Sequence, residues 1–224
     1  LESILQALHQ QNINIFSTGG TEKFIAEKGI PVQSVESLTS YPSILGGRVK
    51  TLHPKVFGGI LARRENEGDQ EQLTTYEIPP FDLVIVDLYP FEATVAATNN
   101  EAEIIEKIDI GGISLIRAAA KNYKDVLVVS SKWEYGALLN ILENQDTITN
   151  LEQRKNFAKA AFNISSHYDT AIYNHFSGAA QNGVFKKSLQ TSKQLRYGEN
   201  PHQKGAFYGD LDAVFDQLHG KEIS

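Results

Sequence analysis

The stretch Asp82-Leu83-Val84-Ile85-Val86-Asp87-Leu88-Tyr89-Pro90-Phe91 decides the fold class. Its aliphatic run does not alternate with polar residues, so it fits a parallel strand covered on both faces rather than a strand with one wet side. Asp125-Val126-Leu127-Val128-Val129 is a second run of the same kind. Between them the pattern predicts one helix over Glu101 to Lys107 and another over Ile113 to Asn122. Upstream, Leu1, Ile4, Leu5 and Leu8 recur at helical spacing, Asn12 to Phe16 alternates as a short strand, Thr21 to Lys28 reads as a helix stopped at Gly29, and Pro31 to Val35 reads as a strand. Strands alternating with helices predict an α/β fold with a doubly wound, mostly parallel sheet and helices on both faces. Downstream, Trp133 to Glu143 and Leu151 to Phe176 predict a helical extension, and Ser177 to Gln194 is poor in aliphatics, like a linker. The expected organisation is one domain over residues 1–190 and the start of a second over 191–224.

Composition narrows the functions. The chain has 224 residues, 41% hydrophobic and 21% charged, which is enough for a buried core. With 21 Lys and Arg against 27 Asp and Glu the net charge is −6, a field that repels nucleic acid and requires any anionic ligand to be held by a local cluster. The absence of Cys excludes disulfides, thiolate metal sites and Cys nucleophiles, and the six His show no metal-binding spacing, so no metal is expected. No apolar run is long enough to span a membrane, and the expected location is the cytoplasm. The chain has no Met and opens on Leu1 inside an expected helix, so a preceding segment is expected.

Four stretches could carry chemistry. Ser17-Thr18-Gly19-Gly20-Thr21 lies between a strand and a helix, where free backbone N–H groups and the helix dipole favour phosphate; the same residues also suit a plain turn with Thr21 as N-cap. Gly46-Gly47-Arg48-Val49-Lys50-Thr51-Leu52-His53-Pro54 gathers two cations, a hydroxyl and an imidazole; in extended geometry Arg48 and Lys50 point the same way and can close on one anion, while the plain alternative is a solvated basic loop. Asp109, before Ile110-Gly111-Gly112, either caps the next helix or accepts a proton or hydrogen bond from a substrate amide, with glycine N–H groups nearby. Lys121 ends that helix, where the dipole alone favours a cation. Tyr89 sits at the C-terminal end of a strand, the side on which open parallel sheets bind ligands.

The ordered set STGGT, GGRVKTLHP, DLYPF, IDIGG, RAAAKN and, after the linker, Arg196-Tyr197-Gly198-Glu199-Asn200-Pro201-His202-Gln203 resembles the bifunctional purine-biosynthesis family that joins inosine monophosphate (IMP) cyclohydrolase to a formyltransferase acting on aminoimidazole carboxamide ribotide (AICAR). STGGT alone is shared with methylglyoxal-synthase-like domains. The resemblance implies a Rossmann-like, methylglyoxal-synthase-like sheet over residues 1–190, preceded by a strand and a phosphate-holding loop. It implies a homodimer that closes formyl-AICAR to IMP with loss of water and without a cofactor. It assigns Ser17, Gly19, Gly20 and Thr21 to the phosphate, Arg48, Lys50, Thr51 and Gly111 to substrate and oxyanion, and Tyr89, Asp109 and Lys121 to the reacting centre. Arg196 and Tyr197 would meet the nucleotide in the transferase domain, whose co-substrate is 10-formyltetrahydrofolate; most of that domain is not in this sequence. One departure is Asp87, where the family has Asn. A module that binds a phosphorylated effector without chemistry, and a methylglyoxal synthase acting on dihydroxyacetone phosphate, are the competing readings.

Overall fold

A computed structural model describes residues 1–144, 148–178 and 183–219. Helix α1 (Glu2–Gln10) buries Ile4, Leu5, Ala7 and Leu8, one face at three- and four-residue spacing. Strand β1 (Phe16–Ser17) leads into α2 (Gly19–Glu27), which is followed by β2 (Gln33–Ser34). Gly29 takes φ +73°, the left-handed conformation that lets the chain leave α2. Helix α3 (Val35–Thr39) starts where the Ser34 hydroxyl accepts from the Ser37 N–H at 3.0 Å. After a 3-10 turn at Leu45–Gly47 come α4 (Pro54–Leu61) and α5 (Glu67–Thr75). Strand β3 (Leu83–Ile85), α6 (Phe91–Ala97), α7 (Glu101–Ile105), α8 (Gly111–Lys121) and β4 (Leu127–Val129) follow. A 3-10 turn (Lys132–Glu134), α9 (Tyr135–Asn144), α10 (Leu151–Ser177) and the antiparallel pair β5 (Ser192–Leu195) and β6 (Gly205–Tyr208) complete the chain.

The fold is mixed α/β of the expected class, with both strand–helix–strand crossovers parallel. Strand β1 pairs β2 in the register Phe16 with Gln33, and β3 pairs β4 in the register Leu83 with Leu127. Among the described residues these are separate two-stranded pairs rather than one continuous sheet. All three residues of β4 are buried, as the apolar run predicts, but β3 is only half-buried. Leu83, Val84 and Ile85 border an open cleft and are each only partly buried, so the expectation of full cover fails for β3.

The core joins both layers: Ile116 and Ala119 of α8, Val128 and Val129 of β4, Leu138 of α9 and Ala161 of α10 are fully buried. Three consecutive alanines, Ala118 to Ala120, make this closeness possible, and the buried Asn122 side chain donates to the Ile60 and Ala62 carbonyls at 2.9 and 3.1 Å, tying α8 to the end of α4. The chain divides into two compact units, Leu1–Ser165 and Ser166–Ser224, the division falling inside α10. In the expected linker, residues 179–182 lie outside the described residues, and its last three, Ser192 to Gln194, belong to β5.

Candidate active site

A cleft of about 870 Å³ opens in the first unit between β1, the loop 46–51, the edge of β3 and the start of α8. Leu83, Val84, Ile85, Val86 and Asp87 all line it. Side chains alternate along a strand, so five consecutive lining residues mean that the strand's backbone edge, not one face, is turned to the cleft.

One end of the cleft is the turn into α2. Thr18, in extended conformation, is the N-cap and makes no capping hydrogen bond with its own side chain; its hydroxyl instead donates to the Glu36 carboxylate at 3.3 Å. Thr21 is therefore not the cap but lies in the first turn. Gly19 has φ +58°, which favours glycine, and Gly20 has open space where a Cβ would stand. The first amides of α2 meet the positive end of its dipole here, a ready anion site. Lys50 reaches the same place, its Nζ 3.3 Å from where a Gly19 Cβ would be.

The other end is the turn into α8. The Asp109 carboxylate accepts from the Gly112 N–H at 2.6 Å, so it caps the helix and is fixed in orientation at the same time. A Cβ on Gly112 would stand 2.5 Å from Asp109 Oδ2, so any other residue there would push the Asp109 carboxylate aside. Thr51 Oγ1 would lie 3.0 Å from a Cβ on Gly111, which puts the Thr51 hydroxyl against the helix start. Tyr89, half exposed, lines the same end, with Lys107 Nζ 5.7 Å from its ring centroid. Asp87 accepts a hydrogen bond from the Tyr135 hydroxyl at 2.6 Å, and burial together with that carboxylate pushes the Tyr135 phenol well above its ordinary range.

Two expectations change. Arg48 and Lys50 do not close on one anion: residue 48 is helical rather than extended, and its guanidinium turns to Glu106 while Lys50 turns to Gly19. Lys121 does not line the cleft. It borders a separate hollow with Phe57, Leu61, Arg117 and Phe162, because ten residues of helix set it about 15 Å along the axis from Gly111. Ser17, Gly20, Thr21, Arg48, Lys50, Thr51, Tyr89, Asp109 and Gly111 do share the cleft. Arg196 and Tyr197 belong to the second unit, in the connection between β5 and β6, where the Gly198 N–H donates to the Gln203 carbonyl at 2.8 Å. Glu106 and Tyr135 were missed, since each acts through a partner 58 or 48 residues away.

Comparison with known proteins places the chain in a family. The family model described as MGS-like domain matches residues 1–114, and the one described as AICARFT/IMPCHase bienzyme matches residues 119–224. The chain is 61% identical over its whole length to the bifunctional purine biosynthesis protein PurH of Bacteroides thetaiotaomicron and 44% identical to that of Rhodopirellula baltica. It spans 44% and 45% of those relatives, less than half their length. A crystal structure of ForH superposes with a TM-score of 0.70 at 33% identity, over 80% of this chain and 92% of that one.

Proposed function

Because the chain belongs to the MGS-like domain family and is homologous over its full length to PurH proteins, we propose that its cleft closes formyl-AICAR to inosine monophosphate in purine biosynthesis. The observation that carries the reading is the two-ended cleft: an anion cradle with a lysine at one end, and a fixed carboxylate beside a helix N-terminus at the other. A nucleotide precursor has the same two ends, a phosphate and a carboxamide that must react.

In this reading the phosphate lies on the amides of Gly19, Gly20 and Thr21, with Ser17 beside them and Lys50 as counter-charge. The carboxamide nitrogen adds to the formyl carbon, and this C–N bond closes the ring while the formyl C=O becomes an oxyanion that takes up a proton; the hydroxyl then takes a second proton and leaves as water as a ring N–H gives up its own, forming the C=N bond. A carboxamide N–H is a very weak acid, so Asp109 acts by orienting the nitrogen and accepting its proton as the bond forms. Thr51 and the Gly111 N–H, with Arg48 nearby, are donors for the developing oxyanion. Tyr89 covers the reacting end and carries a hydroxyl for proton transfer. Lys121 lies too far along α8 to join this cleft within one chain.

The protein acts in the cytoplasm as a homodimer, and cyclization needs no cofactor. Residues 1–190 form the cyclohydrolase domain, and 191–224 begin the transferase domain. The full-length protein also transfers a formyl group from 10-formyltetrahydrofolate to AICAR, with Arg196 and Tyr197 at that nucleotide. Assay of the full-length protein on preformed formyl-AICAR and on dihydroxyacetone phosphate tests the reading. Production of inosine monophosphate alone supports it; turnover of the triose phosphate, or of neither compound, overturns it.

A further inference from the structure

The loop that delivers Lys50 has little to hold it. Leu45, Gly46 and Gly47 have φ of +54°, +66° and +87°, Leu45 is 71% exposed, and the loop is closed on itself by the Ile44–Val49 bridge. Its tie across the mouth of the cleft is Arg48, whose Nε and Nη2 both donate to the carboxylate of Glu106, next to the end of α7. Adjacent Lys107 stands over the Tyr89 ring, so one short segment touches both the basic loop and the aromatic wall.

We propose that Glu106 is a positioning residue: by gripping Arg48 across the cleft mouth, its carboxylate holds the loop 44–50 where Lys50 reaches the Gly19 cradle. The pair is solvent-exposed, with side chains 66% and 55% accessible, so it sets geometry rather than overall stability. Two parallel N–H donors on one carboxylate fix both the distance and the plane of the guanidinium, which a single contact would not. With Glu106 neutral, Arg48 loses its anchor; Leu45, strained at positive φ, and the pliable Gly46-Gly47 pair then let the loop shift, carrying Lys50 off the cradle. The effect on ligand binding rests on the reading of the cleft proposed above; the effect on the loop does not.

The test uses the full-length protein and its Glu106→Gln variant. Hydrogen exchange of residues 46–51 should quicken several-fold in the variant while residues 127–129 of β4 stay unchanged, and Glu106→Asp should restore part of the protection. Binding of inosine monophosphate by calorimetry should weaken about 3- to 5-fold, the range an exposed ion pair commands. In an Arg48→Ala background the same substitution should have no further effect on either readout, since Glu106 acts through Arg48. Unchanged loop exchange, or an equal loss with and without Arg48, overturns the inference. If Glu106→Gln frees the loop but the wild-type protein does not bind inosine monophosphate, the reading of the cleft fails and the positioning role stands.

Discussion

Single residues decide what each end of the cleft can do, and Lys50 is the clearest case. Its ammonium sits at the Gly19 turn, so in the proposed reading it meets the substrate phosphate equally in the ground and transition states. Lys50→Ala should therefore raise KM about 10- to 100-fold, the worth of a hydrogen bond to a charged group, with kcat little changed. A fall in kcat of about 10²–10³ at constant KM would instead place Lys50 at the oxyanion. Sequence spacing put Arg48 and Lys50 on one side because it assumed an extended loop. It could not see that Arg48 is helical and that Glu106, 58 residues away, draws it aside. The capping role of Asp109 was legible, because a carboxylate three residues before a glycine N–H is placed to accept from it.

At the scale of elements, strands and most helices were readable, but the helices from Val35 to Ala97 were not. The sequence pattern found α1, α2, α7, α8, α9 and α10, but not α6 or the capped helices α3, α4 and α5: for the last two, the His53 ring nitrogen accepts from the Lys55 N–H at 3.1 Å, and Asn66 accepts from Asp69 at 2.9 Å. Helix α4 is also fixed by a glycine. A Cβ on Gly59 would stand 2.2 Å from the Pro79 carbonyl oxygen and 2.6 Å from the Phe81 ring, so Gly59→Ala should destabilise the protein by about 1–3 kcal/mol or more, measured by urea unfolding. Because Phe81 stacks edge-on against Phe16 of β1 at 5.6 Å, the same variant should also loosen the cleft floor. Helix α5 is tied by Asp69, which accepts from the Arg63 guanidinium at 2.8 and 2.9 Å. Those bonds hold its carboxyl at about 2, below the ordinary 3.8. Its stabilising effect is complete above about pH 4 and is lost as pH falls toward 2. Thermal melts should therefore show a smaller loss between pH 4 and 2 in Asp69→Asn than in the wild type.

For the whole molecule, the α/β class was visible in the apolar runs at 82–88 and 125–129, whereas the open edge of β3 was not. An aliphatic sequence reports apolar surroundings and cannot say whether they are filled by protein or lie along a cleft. The residues proposed for cyclization fall in the first unit and Arg196 in the second. If the two activities use separate sites, as proposed, substitutions in one should act independently of the other. In the full-length protein, Asp109→Asn should abolish ring closure on preformed formyl-AICAR and leave formyl transfer, followed by tetrahydrofolate release, nearly intact; Arg196→Ala should do the reverse. Equal loss of both activities in a folded Asp109→Asn protein would contradict the assignment. The most direct test of the cleft itself is a crystal structure of the full-length protein with inosine monophosphate. The phosphate should lie on the Gly19 and Gly20 amides within reach of Lys50, with the newly closed side of the base facing Asp109. A nucleotide bound elsewhere, or one whose phosphate points to Asp109, would contradict it.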